Sequence, residues 1–279
     1  MKNRSDDLLR RIGRDIHNVR ANFWTASDIP PVSYPGEAHA ALARVEEASF
    51  WFRHRNRVIC GAVERFSANA TVFEIGGGNG FVSLGLERRG IPTVVVEPGI
   101  DGANVASTRG LTVVNAAFTP DLFAAESLPA IGLFDVIEHI EDDLAFLSNC
   151  AQAMEPGGYI YIAVPAHQFL WSADDEYAGH YRRYGRAQLA EVLKSAGFDV
   201  LRTTAFFSLL VPPLFLLRTI PTRFGWRNVS TADEAFDHHG GGIGAVVAEK
   251  MLSMELSLIE RANLPFGTSL LAVARKPHR

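Results

Sequence analysis

The sequence predicts an α/β fold, with a mostly parallel sheet covered by helices on both faces. Three observations predict it. Short apolar runs of strand length recur from residue 71 to residue 164, separated by helix-patterned segments and by glycine or proline breakers. The first run leads directly into a glycine-rich loop, Gly76-Gly77-Gly78-Asn79-Gly80, of the kind that joins a strand to a helix. Composition also permits a sizeable core. Of 279 residues, 47% are hydrophobic and 21% charged, which argues against wholesale disorder.

The elements follow in order. Residues 1–67 read as a helical cap. Leu8, Leu9, Ile12 and Ile16 recur at helical spacing. Residues 29–36 are a breaker segment, and helical patterning resumes from about Glu37 to Phe66. The core spans 68–206. Thr71 to Ile75 is its first strand, and Phe81 to Arg89 is a helix stopped at Gly90. Strands follow at Thr93–Val96, ending at Glu97-Pro98-Gly99, at Leu111–Val114, and at Ala130–Phe134. Asp142 to Met154 is helical and stops at Pro156-Gly157-Gly158. Tyr159 to Val164 is a fifth strand, Arg186 to Ala196 a helix closed by Gly197, and Phe198 to Thr203 a sixth strand. Residues 207–265 are too long for a plain turn. They read as an insertion or substrate lid with a helix near Val246 to Arg261, before a last strand at Ser269–Ala274 within 266–279. The whole is expected to form one structural domain.

Several classes are disfavoured. A net charge of −4 does not supply the basic footprint of a nucleic-acid binder. Cys60 and Cys150 do not form a C-x-x-C pair, so neither a zinc motif nor a disulfide framework is visible. Met1 to Arg20 is charged and does not resemble a signal peptide. No apolar run reaches the ~18 residues of a membrane span. Residues 205–217 come nearest, but Pro212 and Pro213 interrupt them and Arg218 ends them. The expectation is a cytoplasmic protein. Residues 205–217 are a candidate for peripheral membrane contact, with burial against the cap as the alternative.

The glycine loop carries the first chemical signal. Gly76, Gly78 and Gly80 give G-x-G-x-G, where the dinucleotide fingerprint would need glycine at position 81 and Phe81 stands instead. The P-loop lysine is absent too. Glu97 closes the next strand, where an acid can accept hydrogen bonds from both hydroxyls of a ribose. That fits any adenosine ligand. Glu74, Glu97, Asp135, Glu138, Glu141 and Asp142 fall near carboxyl ends of the expected strands, the edge at which such sheets bind ligands. Such a rim repels a pyrophosphate and attracts a sulfonium cation with an α-ammonium group. The alternative reading is that some of these acids only cap helices.

With these residues in place, the sequence resembles the class I S-adenosylmethionine (SAM)-dependent methyltransferases over roughly 68–204 plus the last strand. Glu74-Ile75-Gly76-Gly77-Gly78-Asn79-Gly80 resembles the family's first motif, and Glu97, followed by Pro98, its ribose-binding acid. Phe134-Asp135-Val136-Ile137-Glu138-His139-Ile140 resembles the segment that carries the methionine part of SAM. Pro156-Gly157-Gly158 and the strand after it resemble the following turn and strand. The resemblance implies a Rossmann-like three-layer sandwich with a seven-stranded sheet whose last strand is antiparallel. Asn115-Ala116 stands where many members carry an acid near the adenine, so Asn115 or a backbone carbonyl is expected to replace that contact. Phe50-Trp51-Phe52-Arg53-His54-Arg55-Asn56 and Gly179-His180-Tyr181-Arg182-Arg183-Tyr184 resemble segments of bacterial members associated with glycan, lipid or secondary-metabolite pathways.

The expected chemistry is methyl transfer from SAM to a small-molecule, glycan or lipid-linked acceptor at oxygen, in which positioning does most of the work. A hydroxyl acceptor benefits from a general base. The candidates are His54, His139, His167, His180 and Tyr181, each of which could equally be a packed structural residue. Asp135, Glu138 and His139 resemble in spacing the acid-x-x-Glu-His metal site of quinone-pathway O-methyltransferases, and two carboxylates with an imidazole can hold a divalent cation. The alternative places Asp135 in the SAM pocket and Glu138-His139 at a helix start. His238-His239 reads as part of a glycine-rich loop. Two rival functions remain at this point: a non-catalytic SAM-binding protein and an NAD-dependent oxidoreductase.

Overall fold

The computed structural model describes residues 4–29, 46, 49–229 and 243–278, with side chains from 249 onward in the last stretch. Helix α1 (Arg4–Ile12) buries Leu9 and Ile12, carries Asp6 and Asp7 in its first turn and Arg10 and Arg11 in its last. That charge order complements the helix dipole. The Ser5 hydroxyl donates to the Thr93 carbonyl at 3.0 Å, which ties the helix to the sheet.

The helical reading of the N-terminal region holds for α1 and again from Phe50 to Ser67, and gives way to strands at residues 16–26. The chain turns through Asn22, at φ 57°, into a hairpin of β1 (Ile16–Arg20) and β2 (Phe23–Ala26). Strand β1 exposes nearly all its side chains and β2 is four residues long, so neither leaves a readable alternation. Ile16, spaced as if it continued α1, pairs with Ala26 instead.

Helix α2 (Phe50–Ser67) starts at Ser49, whose hydroxyl accepts from the Trp51 N–H at 3.2 Å. The remaining elements are β3 (Val72–Ile75), α3 (Phe81–Glu87), β4 (Thr93–Val96), α4 (Ile100–Thr108), β5 (Val113–Asn115), β6 (Leu128–Phe134), α5 (Asp143–Ala153) and β7 (Met154–Pro165). After them come α6 (Ala173–Ala178), α7 (Arg186–Ser195), β8 (Asp199–Phe206), α8 (Val211–Leu214), α9 (Ile220–Arg223), α10 (Ile243–Arg261) and β9 (Ser269–Arg275). The sheet has nine strands in the order β1-β2-β5-β4-β3-β6-β7-β9-β8. Strand β9 runs antiparallel to both β7 and β8, as the resemblance implied. The count of seven is corrected to nine, because the hairpin adds two strands at the edge, with β2 parallel to β5.

Successive residues of a strand face opposite sides, and the core divides accordingly. Phe73, Ile160 and Ile162 belong to one buried cluster with Leu147, Leu189 and Leu193 of α5 and α7. Val72, Tyr161 and Ala163 belong to another with Ile59 and Val63 of α2 and Leu252 and Ile259 of α10. Helix α10 is fastened to α2 by an Arg53–Glu249 ion pair and by His54 Nε2 at 2.8 Å from Glu255 Oε2. Glu255 also accepts from the Phe207 and Ser208 N–H groups, at 2.8 and 2.7 Å.

Residues 211–223 form one helical run in which Phe215–Thr219 is a π-helical turn between α8 and α9. Pro221 has no N–H to return to the preceding turn, and a π-turn is one way a helix accommodates such a gap. Asp135, His167 and Phe207 follow the ends of β6, β7 and β8, and each has positive φ, at 59°, 62° and 61°.

Candidate active site

The glycine loop leaves β3 through Gly76, Gly78 and Gly80, all at positive φ. A Cβ on Gly77 would stand 2.8 Å from Val95, and one on Gly76 2.9 Å from Val136. Only glycine lets the backbone pass so close to the neighbouring strands. Glu74 is buried at the end of β3 and accepts from the Ser83 N–H at 2.9 Å and from the Ser83 hydroxyl. Burial pushes its carboxyl up to about 7, against the pull of those two bonds. Glu97 accepts from Gly78 N–H at 2.8 Å and from Gly99 N–H at 2.7 Å, so one carboxylate holds two turns together. The Asn115 amide donates to the carbonyls of Glu97 and Pro98 at 2.8 and 3.0 Å, bracing the same corner.

These groups border a cavity of about 480 Å³. Its lining includes Glu74, Gly76, Gly77, Gly78, Asn79, Glu97, Pro98, Phe134 and Asp135. Gly80 and Ala116 lie outside the lining. Gly80 starts α3, where a Cβ would meet Leu111 at 2.5 Å. Ala116 is fully buried, and its N–H donates to the Glu97 carbonyl at 3.2 Å. Glu141 and Asp142 are also outside; Asp142 caps α5 by accepting from Ala145 N–H at 2.9 Å.

The far end of the cavity is built by the turn after β6 and by α6 with the loop after it. Asp135 is ion-paired with Arg55 of α2 at 2.6 Å. Glu138 is fully buried, and among the described residues neither of its carboxyl oxygens has a hydrogen-bond partner. Burial, with Asp135 nearby, drives that carboxyl well above its ordinary range. Burial and the adjacent His180 lower His139 to about 4, so its ring is neutral at pH 7. The two rings meet edge to face at 4.6 Å. His180 Nδ1 lies 2.8 Å from Asp175 Oδ1, to which Arg183 Nε also donates at 2.8 Å. The other Asp175 oxygen accepts from Ser172 N–H at 2.9 Å. Burial opposes ionisation of Asp175, yet the bonds from His180 and Arg183 hold it below its ordinary value.

Of the candidate bases, the structure brings His139 and His180 into the lining. His167 lies outside it, with its ring 5.3 Å from Phe169 and 4.6 Å from Phe266. Tyr181 is 54% exposed and also outside. His54 is spent on Glu255. The ligand atoms of Glu138, His139 and His180 lie within 4.8 Å of one another, a set suited to a divalent cation. Asp135 is held by Arg55 and is not in that set, which corrects the expected grouping. His238 and His239 lie outside the described residues.

Sequence reasoning missed Glu46, Arg55, Asp174, Asp175, Arg183 and Arg218 in the lining. Glu46 pairs with Arg109 at 2.8 Å, and Arg218 with Asp174 at 3.3 Å. Arg55 and Arg183 sit inside the two family-like segments, which was a signal. Asp174 and Asp175 gave none, since acids in the first turn of α6 read as dipole partners.

The residues present fit SAM. Glycines admit the backbone where a Cβ would not go, and acids suit a cationic ligand. The family described as Methyltransferase domain matches residues 51–203. A Mycolicibacterium smegmatis protein, named as a probable SAM-dependent methyltransferase, is 28% identical over 188 residues, covering 63% of this chain and 70% of its own. A ubiquinone biosynthesis O-methyltransferase of Parvibaculum lavamentivorans is 36% identical over 107 residues, covering 34% of this chain and 42% of its own. A chain of the complex between the Haloferax volcanii Trm112 methyltransferase activator and a protein named as a putative methyltransferase superposes with a TM-score of 0.58 at 18% identity, covering 87% of this chain and 96% of that one. The glycine loop, the carboxylate that clamps it and the family match over most of the core agree: the chain belongs to the class I SAM-dependent methyltransferases, and SAM is its cofactor.

Proposed function

We propose that the protein methylates an acceptor oxygen on a small-molecule, glycan or lipid-linked substrate, with His180 as general base. SAM supplies a methyl group on a good leaving group. The glycine loop, Glu97 and Pro98 would hold its adenosine part, and Phe134 with Asp135 its methionine part. The observation that carries the reading is the bond between Asp175 and His180. An ionised carboxylate only accepts, so the imidazole proton sits on Nδ1. The lone pair is then on Nε2, free to take a proton from an acceptor hydroxyl. Asp175 orients that ring, and Arg183 with Ser172 orients Asp175. The ubiquinone-pathway relative, named as an O-methyltransferase, supports oxygen as the target.

Methyl transfer from labelled SAM to a panel of hydroxylated acceptors tests the proposal. His180→Ala should lower kcat by about 10²–10⁴-fold while leaving the affinity for S-adenosylhomocysteine unchanged. Unaltered turnover would remove His180 as base. A second reading has its own observation, the close approach of Glu138, His139 and His180. A cation there would bind the acceptor oxygen and lower the pKa of its proton. Full activity in chelator-treated protein would rule it out.

A further inference from the structure

We propose that residues 209–226 form a docking face that seats the protein on an anionic lipid surface beside the acceptor cavity. The expected contact was 205–217, but Ala205, Phe206 and Phe207 are fully buried. The exposed face begins later. Leu209 is 50% exposed, Leu216 58%, Leu217 69%, Phe224 65% and Trp226 76%. Val211 and Thr219 of the same run are buried inward, so one side of the run packs on the protein while its exposed side is also apolar. An outward apolar face this concentrated marks an interaction surface. Among the described residues, no helix is long and apolar enough to cross a membrane, so the face would lie on a bilayer rather than in one.

Charge selects the occupant. From Val200 to Val229 the sequence contains no acid, and Arg223 stands exposed on the face beside Phe224. Arg218 and Arg227 turn inward to Asp174, at 3.3 and 3.0 Å, so Arg223 gives the outward face its positive charge. Arg223 donates to the Phe169 carbonyl at 3.0 Å beside Phe224. Phe224 and Trp226 stack at 4.9 Å at the end of the run, and tryptophan favours the membrane–water boundary. An apolar face that carries an exposed arginine and no acid in its own run complements anionic headgroups over acyl chains. The same run sends Leu214 and Arg218 into the cavity lining. Docking would therefore bring the cavity mouth to the lipid surface, where an amphiphilic acceptor can present its head. This last step rests on the methyltransferase reading of the cavity.

The test is co-sedimentation of the full chain with phosphatidylcholine vesicles, with and without phosphatidylglycerol. Binding to the mixed vesicles should exceed binding to phosphatidylcholine by about tenfold and weaken as salt is raised. Phe224→Ser with Trp226→Ser should lower it by about tenfold at an unchanged melting temperature. Arg223→Gln should weaken binding only where phosphatidylglycerol is present. No binding to mixed vesicles, or equal binding by the double variant, would overturn the proposal. So would self-association that the double variant abolishes, since a second copy would then cover the face. Calorimetry with S-adenosylhomocysteine separates the two readings: loss of that binding with vesicle binding intact would sink the cavity assignment and leave the docking face standing.

Discussion

At the scale of single residues, Glu97 illustrates how one side chain serves structure and ligand together. Its carboxylate holds the N–H groups of Gly78 and Gly99, so its removal disturbs the loop as well as the expected ribose contact. Glu97→Ala should weaken SAM binding by about 10–100-fold, the equivalent of ~1.4–2.8 kcal/mol, measurable by calorimetry. An affinity within twofold of wild type would refute the assignment. Asp175 gives a different kind of test, because it acts through His180. Asp175→Asn preserves shape but supplies a weaker acceptor, so the imidazole is no longer held in one tautomer. It should reduce kcat while leaving KM nearly constant. A rise in KM alone would point to a purely structural role.

At the scale of elements, the packing of α3 on α2 is set by Gly85 and Asn56. The Asn56 amide donates to the Phe81 carbonyl at 2.9 Å, and a Cβ on Gly85 would lie 2.6 Å from Asn56 Oδ1. Gly85→Ala therefore has to push two helices apart, although alanine is the better helix former. We expect a loss of about 1–3 kcal/mol in urea denaturation, and a gain in stability would show that the asparagine simply swings away. The elements also show what the sequence could reveal. Strands β3, β4, β6 and β9, and β7 from Ile160 to Val164, are buried on both faces along most of their length, and their apolar character was legible. The hairpin was not, since its first strand is solvent-facing and its signal was one asparagine in a turn. In the site, Glu74, Glu97 and the glycine loop were legible because they sit at strand ends. Asp175, the pairing of Arg55 with Asp135 and the grouping of His180 with Glu138 were not. They depend on how α2, α6 and the turn after β6 converge, which no local spacing encodes. Tyr181 looked like a site residue by adjacency, and one step along the chain from His180 was enough to turn it to solvent.

For the whole molecule, two buried groups set opposing pH responses. Glu74 is raised from 4.5 to about 7, so its contribution is full below the unfolded value and is lost as pH rises towards 7. His139 is lowered from 6.5 to about 4, so its contribution is full above 6.5 and is lost as pH falls towards 4. Each amounts to about 3 kcal/mol across its window, and the two largely offset one another. Glu138, raised by burial, adds in the same direction as Glu74. Glu74→Gln removes one side of the balance. Its stability should climb more steeply than that of wild type between pH 4 and 7 in urea titrations. Identical slopes would show that the Glu74 carboxyl is not perturbed. The three residues with positive φ beyond β6, β7 and β8 carry a consequence of another kind. Non-glycine residues held in such conformations cost about 1–3 kcal/mol each. His167, at ψ 108°, lies in a region that favours glycine. A library of this chain sorted only for heat resistance should therefore enrich glycine at 167, while the ion pair with Arg55 retains Asp135. The survivors would be sturdier proteins with a slackened rim. Selection for endurance and selection for turnover should thus pull position 167 in opposite directions.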